Sequence, residues 1–206
     1  MTGSEKNTEE KIFRAANKVF LKKGMAAARM QEIADEAGIN KALLHYYFRT
    51  KEKLFYTVFK RALKKFLPEV QYVMLSDLPI QEKMHLFVED YMEALLENQF
   101  LPLFILQEIN RDPDKLVSTF RESGIDPFPI IEMFKSEMIK GHIIQMDPLQ
   151  FVISVLSLII FPIAARPMLQ TVFFEKNKEA YDVFLAERKR FVADFINSAI
   201  LTSTNN

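Results

Sequence analysis

The chain has 206 residues, 49% of them apolar, enough to bury the core of one compact unit or of two small helical ones. It contains no cysteine, which excludes a disulfide framework, thiolate catalysis and cysteine-ligated metal, and suits a reducing, cytoplasmic interior. Its 27 Lys+Arg balance 27 Asp+Glu overall, yet residues 1–66 hold 15 Lys+Arg against 7 Asp+Glu, and the remainder holds 12 against 20.

A basic first third joined to an acidic remainder is the pattern of a phosphate-binding head on a soluble body. A solvated face explains any single charge run, but it does not predict that asymmetry. The first residues, MTGSEKNTEEK, contain no apolar run, so no secretory signal is expected. Only Thr202–Asn206 reads as a frayed end.

Strand signals are almost absent and helical periodicity dominates, so the fold class is all-α. Helix 1 is predicted from about Thr8, an N-cap followed by Glu9 and Glu10, to Lys23, with Gly24 just past its end. Ile12, Ala15, Ala16, Val19 and Phe20 fall on one of its faces. The stretch Met30–Lys53 then reads as two short helices around one tight turn. Ile33, Ala34 and Ala37 give the first an apolar face, and Gly38 supplies the left-handed backbone that ends it. Ile39 plugs the turn, Asn40 caps the next helix, and Leu44, Tyr47 and Phe48 form its buried side. Small Ala34, turn Gly38 and apolar Leu44 suit two helices crossing steeply, the helix-turn-helix of DNA-binding domains. The simpler alternative is an ordinary helical hairpin.

Thr50 caps helix 4, whose Leu54, Phe55, Val58, Phe59, Ala62, Leu63 and Phe66 form a wide stripe that Pro68 closes. Beyond it, helices are predicted at about 80–97, 99–110, 113–122, 128–141, 148–173 and 178–201. Pro162 and Pro167 should kink or interrupt the fifth of these. The last one aligns Ala180, Val183, Phe184, Phe191, Phe195 and Ala199 along one side, a stripe suited to a bundle. The uncharged run Leu149–Ala165 is near the lower limit for a membrane span. Gln150, two serines and Pro162 favour a helix buried in a bundle or a subunit interface instead, and no membrane partner is expected.

The segment Thr8–Gly24, with Ile33-Ala34, Ala37-Gly38-Ile39, Tyr47-Phe48 and Lys51-Glu52-Lys53-Leu54, resembles the tetracycline-repressor (TetR) family of bacterial transcriptional regulators. The resemblance is dense over about the first 55 to 65 residues; the rest follows the family in length and helical organisation. Two positions depart from the family pattern. Ala28-Arg29-Met30 stands where a Ser or Thr usually opens the helix before Ile33, and His45 replaces an aromatic in the middle of the recognition helix. The resemblance implies a helix-turn-helix DNA-binding domain over 1–50, a connecting helix over 51–67, and a helical effector-binding and dimerisation domain over 68–206. It also implies that an effector in the body shifts helix 4 and so the spacing of two heads.

If helix 3, Lys41–Phe48, enters the major groove, then Lys41, Ala42, Leu43, His45 and Tyr46 are its outward candidates. Lys41 can donate to guanine O6 and N7 or to a phosphate; Ala42 and Leu43 offer contact to thymine methyls. Tyr46 has an equally simple reading as surface packing. Asn40 opens the helix, while Arg29, Gln31 and Lys51 can hold the phosphate backbone. One head reads few base pairs, so a homodimer on a double-stranded, near-palindromic operator is expected, joined through 149–165 and 178–201.

Little argues for catalysis. His45, His85 and His142 lie in separate helices without metal-ligand spacing, and no nucleophile elbow, P-loop or dinucleotide motif occurs. No cofactor or metal is expected. Glu108 and Arg111, three apart on one predicted helix, read as a surface ion pair. The body is rich in Phe and Met, which are ordinary core or the lining of a pocket for a small apolar effector. Phe100, Phe104, Phe120, Phe134, Met138 and Phe161 are the candidate walls, with Gln107, Glu108, Arg111 and His142 as polar groups. The alternative reading is a helical carrier for lipid-like molecules with a basic, membrane-contacting head; it accounts for the charge split but not for the Ala34–Gly38–Leu44 spacing.

Overall fold

The computed structural model describes residues 3–201, with the side chains of all but 3–6, 65–67, 69 and 100. Thr202–Asn206, read above as a frayed end, lie outside the described residues, as do the Phe66 and Phe100 side chains. Every regular element among them is an α-helix. In order these are α1 Gly3–Ala27, α2 Met30–Ala37, α3 Lys41–Tyr47, α4 Lys51–Leu75, α5 Ile80–Glu97, α6 Phe100–Arg111, α7 Pro113–Glu122, α8 Phe128–Ile139, α9 Pro148–Ala164, α10 Arg166–Phe173 and α11 Lys178–Ile200. The chain forms two compact units, one of residues up to Lys65 with Asn98–Ser123, the other of Phe66–Glu97 with Gly124 onward.

In the first unit α1 is broken at Gly24, whose φ of 70° is easily reached only without a Cβ. Ile12, Ala16 and Phe20 of α1 are buried with Ile33 and Ala34 of α2, Leu44 of α3, and Leu54, Phe55 and Phe59 of α4. Phe104 of α6 joins them, its ring centroid 4.2 Å from Phe55 and 4.9 Å from Phe59. Each buried aromatic contributes about 1.5–3 kcal/mol, so this cluster is a major source of the unit's stability.

Pro68 does not close α4, which continues to Leu75. Pro68 is exposed, so water can satisfy the carbonyl that its missing N–H leaves free. The helix therefore survives a residue that sequence reasoning treated as its end.

The second unit buries Met84, Val88, Met92 and Leu95 of α5 with Val155 and Ile159 of α9 and Tyr181, Leu185, Val192 and Ile196 of α11. Pro162 sits inside α9 and cannot bond the Leu158 carbonyl one turn back. Arg188 does so instead, its Nη2 donating to that oxygen at 3.0 Å, and the Tyr181 hydroxyl donates to the Pro162 carbonyl at 2.6 Å. The expected single helix over 148–173 is divided at Ala165, with α10 bent 71° from α9 and Pro167 in its first turn. No single described helix is long and apolar enough to cross a membrane; the bent pair α9–α10 qualifies by length and composition only.

The predicted stripe of α11 is not the one it buries. Ala180, Val183, Phe191, Phe195 and Ala199 are exposed and Phe184 is half-buried, while the adjacent stripe through Tyr181, Leu185, Val192 and Ile196 makes the core. Both sides of this helix are apolar, and periodicity cannot choose between them.

Candidate nucleic-acid interface

The basic head is built from short, well-terminated helices. Gly38 adopts φ 66° and ψ 33° after α2, and the Ile39 N–H closes back on the Ala34 carbonyl at 3.0 Å. This is the glycine-terminated helix end that the sequence pattern required. Asn40 then caps α3, its Oδ1 accepting the Leu43 N–H at 2.7 Å. Thr50 caps α4 in the same way through the Lys53 N–H at 3.1 Å.

With Leu44 and Phe48 buried, α3 must turn its other side outward. Lys41, Ala42, His45 and Tyr46 are all exposed, Leu43 is half-buried, and Tyr46 is 79% exposed. Tyr46 touches its neighbour Tyr47 edge-on at 5.5 Å and leaves most of its ring in solvent. Tyr47, expected in the core, is only half-buried, because a seven-residue helix offers its core one narrow side. The His45 Nδ1 lies 3.2 Å from the Arg49 carbonyl, which favours a proton on Nδ1 and leaves Nε2 turned to other partners.

The flanking candidates are more tightly used than expected. Arg29 and Gln31 are exposed, but the Gln31 amide donates to Asp35 Oδ1 at 2.8 Å. Lys51 donates to the Ala26 carbonyl at 2.9 Å, tying the start of α4 to the end of α1. An ammonium has three N–H donors, so this bond leaves two for a phosphate. Arg49 and Lys53, not singled out from the sequence, are exposed beside Thr50. Lys23 and the Arg29 N–H both donate to Glu32, and they hold its carboxyl below the ordinary range, Lys23 foremost. Lys18 pairs with Glu36 at 2.6 Å. Glu32 and Glu36 of α2 are thus committed to neighbouring lysines and Asp35 to the Gln31 amide, and the outward side of α3 carries no acid of its own.

The profile of bacterial regulatory proteins of the tetR family matches residues 12–58, the span from α1 to the first turns of α4. Residues 12–58 are thus similar to the DNA-binding region of the tetR family. The HTH-type transcriptional repressor NicS of Pseudomonas putida is 32% identical over 107 residues, 52% of this chain and 44% of that protein. The HTH-type transcriptional activator FasR of Mycolicibacterium smegmatis is 30% identical over 81 residues, 39% of this chain and 37% of that one. The chain therefore aligns with less than half the length of either relative. The crystal structure of the regulator FadR from Bacillus subtilis, solved with stearoyl-CoA, shares the fold at a TM-score of 0.69 and 17% identity, covering 92% of this chain and 98% of that one.

The pocket candidates named from the sequence fall in two groups. In the first unit, Phe104 is core, Phe120 is half-buried with its ring 6.0 Å from Phe59, and Gln107 is exposed. In the second, Phe134 and Met138 are buried, with Phe134 packed on Phe151 at 4.9 Å, while His142 and Phe161 are exposed.

Glu108 differs from its expected role in a surface pair. It is 2% exposed, and its two oxygens receive Arg111 Nε and Nη2, each at 2.9 Å, and the Tyr56 hydroxyl. Burial, then the bond to Glu108, pushes the Tyr56 hydroxyl up to about 12, and Lys115 stands 4.0 Å above the Tyr56 ring. Tyr56 and Lys115 escaped sequence reasoning because Tyr56 lies 52 positions from Glu108 and no local pattern links them.

Proposed function

We propose that this chain is a ligand-responsive, DNA-binding transcriptional regulator of the cytoplasm, acting as a homodimer on a near-palindromic operator. The outward side of α3 carries this reading: a cation, a small apolar contact, an imidazole and a phenol at helical spacing, with no acid among them. In this reading Lys41 and His45 read base edges, Ala42 and Leu43 meet thymine methyls, and Tyr46 reaches a base edge or phosphate. Arg29, Gln31, Lys51 and the capped start of α3 at Asn40 hold the backbone.

The second copy would seat on the apolar faces that α9 and α11 leave exposed, Leu149, Ile153 and Phe161 with Val183, Phe191 and Phe195. Phe161, 57% exposed, belongs with this interface in our reading more than with a pocket. We place the effector, a small apolar molecule, among the aromatic and Met side chains of the body, Phe100, Phe104, Phe120, Phe134 and Met138, with Gln107, Glu108, Arg111 and His142 as its polar contacts. A protein of the same fold, FadR, carries stearoyl-CoA, which supports an apolar effector class. Repression, released by that effector, follows the longer relative match to the repressor NicS, against the activator FasR.

Selection of duplexes from a random pool by the full chain tests the core of this reading. A favoured near-palindrome should bind on the order of 10³-fold or more above random duplex at the same salt, as sequence-specific regulators do. Uniform binding of all duplexes would reject it. Transcription in vitro from a promoter carrying the selected sequence then distinguishes repression from activation.

A further inference from the structure

An open cavity of about 670 Å³ lies within the second unit, between the α4–α5 turn, the first turn of α5, the end of α8 and Leu201. No residue assigned above to DNA lines it, and of the effector candidates only His142 does. Lys83 is part of its wall and is only 5% exposed. Its stem is buried, and the ammonium at its end opens on the cavity, where it can take an acceptor or a counter-charge. Among the described residues the Lys83 side chain has neither a hydrogen bond nor an ion pair.

The other charges around the cavity are accounted for. Glu137 accepts from Lys140 Nζ at 2.9 Å and from His142 Nδ1 at 2.7 Å. Asp77 is exposed to solvent. Asn197, bonded through Nδ2 to the Gln81 carbonyl at 3.2 Å, leaves its buried Oδ1 unsatisfied. That oxygen is neutral and Asn197 is not part of the cavity wall, so it cannot balance an ammonium in the cavity. The rest of the wall is partly apolar, with Leu78, Pro79, Ile80 and Leu201.

We infer that this cavity binds a small organic monocarboxylate, its carboxylate on the Lys83 ammonium and its apolar part against Leu78, Pro79, Ile80 and Leu201. One unpaired cation matches one negative charge. A phosphate dianion would bring a surplus charge beside Asp77 and Glu137 and would leave the apolar wall uncovered. The site is independent of the DNA-binding reading and stands or falls without it.

Hexanoate is a suitable probe, with hexanamide as its neutral counterpart and inorganic phosphate as the anion control. Ligands this small bind in the millimolar range, which amide chemical shifts of the full-length protein can follow. Hexanoate should shift the amides of Leu78–Lys83 and Lys140–His142; hexanamide should bind at least tenfold more weakly, and phosphate should leave these amides unmoved. Lys83→Met should keep the helical signal and lose hexanoate by at least tenfold, whereas Lys83→Arg should retain it. Equal binding of hexanoate and hexanamide, an equal response to phosphate, shifts confined to other residues, or no response at all would each overturn the assignment. Should Lys83→Met fail to fold, the contrast of hexanoate with hexanamide on the unmodified protein decides alone.

Discussion

The outward side of α3 and the outward sides of α9 and α11 both face solvent in the single chain, but their chemistry differs. On α3 the exposed groups are an ammonium, an imidazole, a phenol and one methyl, each small or able to exchange water for a polar partner. On α9 and α11 they are Leu149, Ile153, Phe161, Val183, Phe191 and Phe195, none of which can bond a phosphate or base edge. Exposure alone therefore does not identify a functional surface; the atoms exposed do. A wet, charge-rich contact suits nucleic acid, and a dry one suits a protein partner. Phe191 and Phe195 stack at 6.2 Å, which gives α11 a continuous apolar strip and not scattered single residues.

The sharpest way to break this comparison is to charge the apolar side. Phe195→Asp should convert dimers to monomers or aggregates, since an unpaired carboxylate in a desolvated interface costs on the order of 3 kcal/mol or more. Sedimentation that still shows dimers would remove α11 from the interface. Smaller effects are expected on α3. Lys41→Ala or His45→Ala should cost about 1–3 kcal/mol on the selected operator and far less on random duplex. Equal losses on both would make these residues backbone contacts. Lys51→Ala should weaken all duplexes alike and flatten the salt dependence by about one unit in log–log slope. Because Lys51 also ties α4 to the Ala26 carbonyl, a modest drop in melting temperature should accompany it. An unchanged slope with a lowered melting temperature would leave it a structural role only.

The smallest expected effect lies in the first unit's interior. The Tyr56 hydroxyl is pushed from its ordinary 10 up to about 12. The folded chain thus holds a proton that the unfolded chain releases first. Its stabilising contribution is complete below pH 10 and declines as pH rises toward 12. Urea midpoints measured across that window should fall more steeply for the native chain than for Tyr56→Phe. Parallel curves would remove Tyr56 as the source of that pH dependence.

Much of the fold was legible in the sequence because helix ends are local events. A cap acts on an N–H three positions away, and Asn40, Thr50, Asp112, Asp147 and Asn177 all do so here. Gly38 and Gly24 mark breaks for an equally local reason, the absence of a Cβ at positive φ. The helix-turn-helix was readable on the same basis, as its turn, cap and two small apolar faces fall within about twenty residues. Distant residues settled the rest. The backbone carbonyl freed by Pro162 is satisfied by Arg188, thirty positions from Leu158, and no window of sequence contains both. Glu108 became an interior group because Tyr56 and Arg111 converge on it, and α11 buried the side of it that α5 and α9 meet. Lys83 meets no partner for the same reason, on a helix whose N-terminal turn lines a cavity together with the end of another. Backbone hydrogen bonding across a few residues determined where each helix begins and stops, whereas the side that each helix hides was decided only when apolar surfaces far apart in the chain were removed from water together.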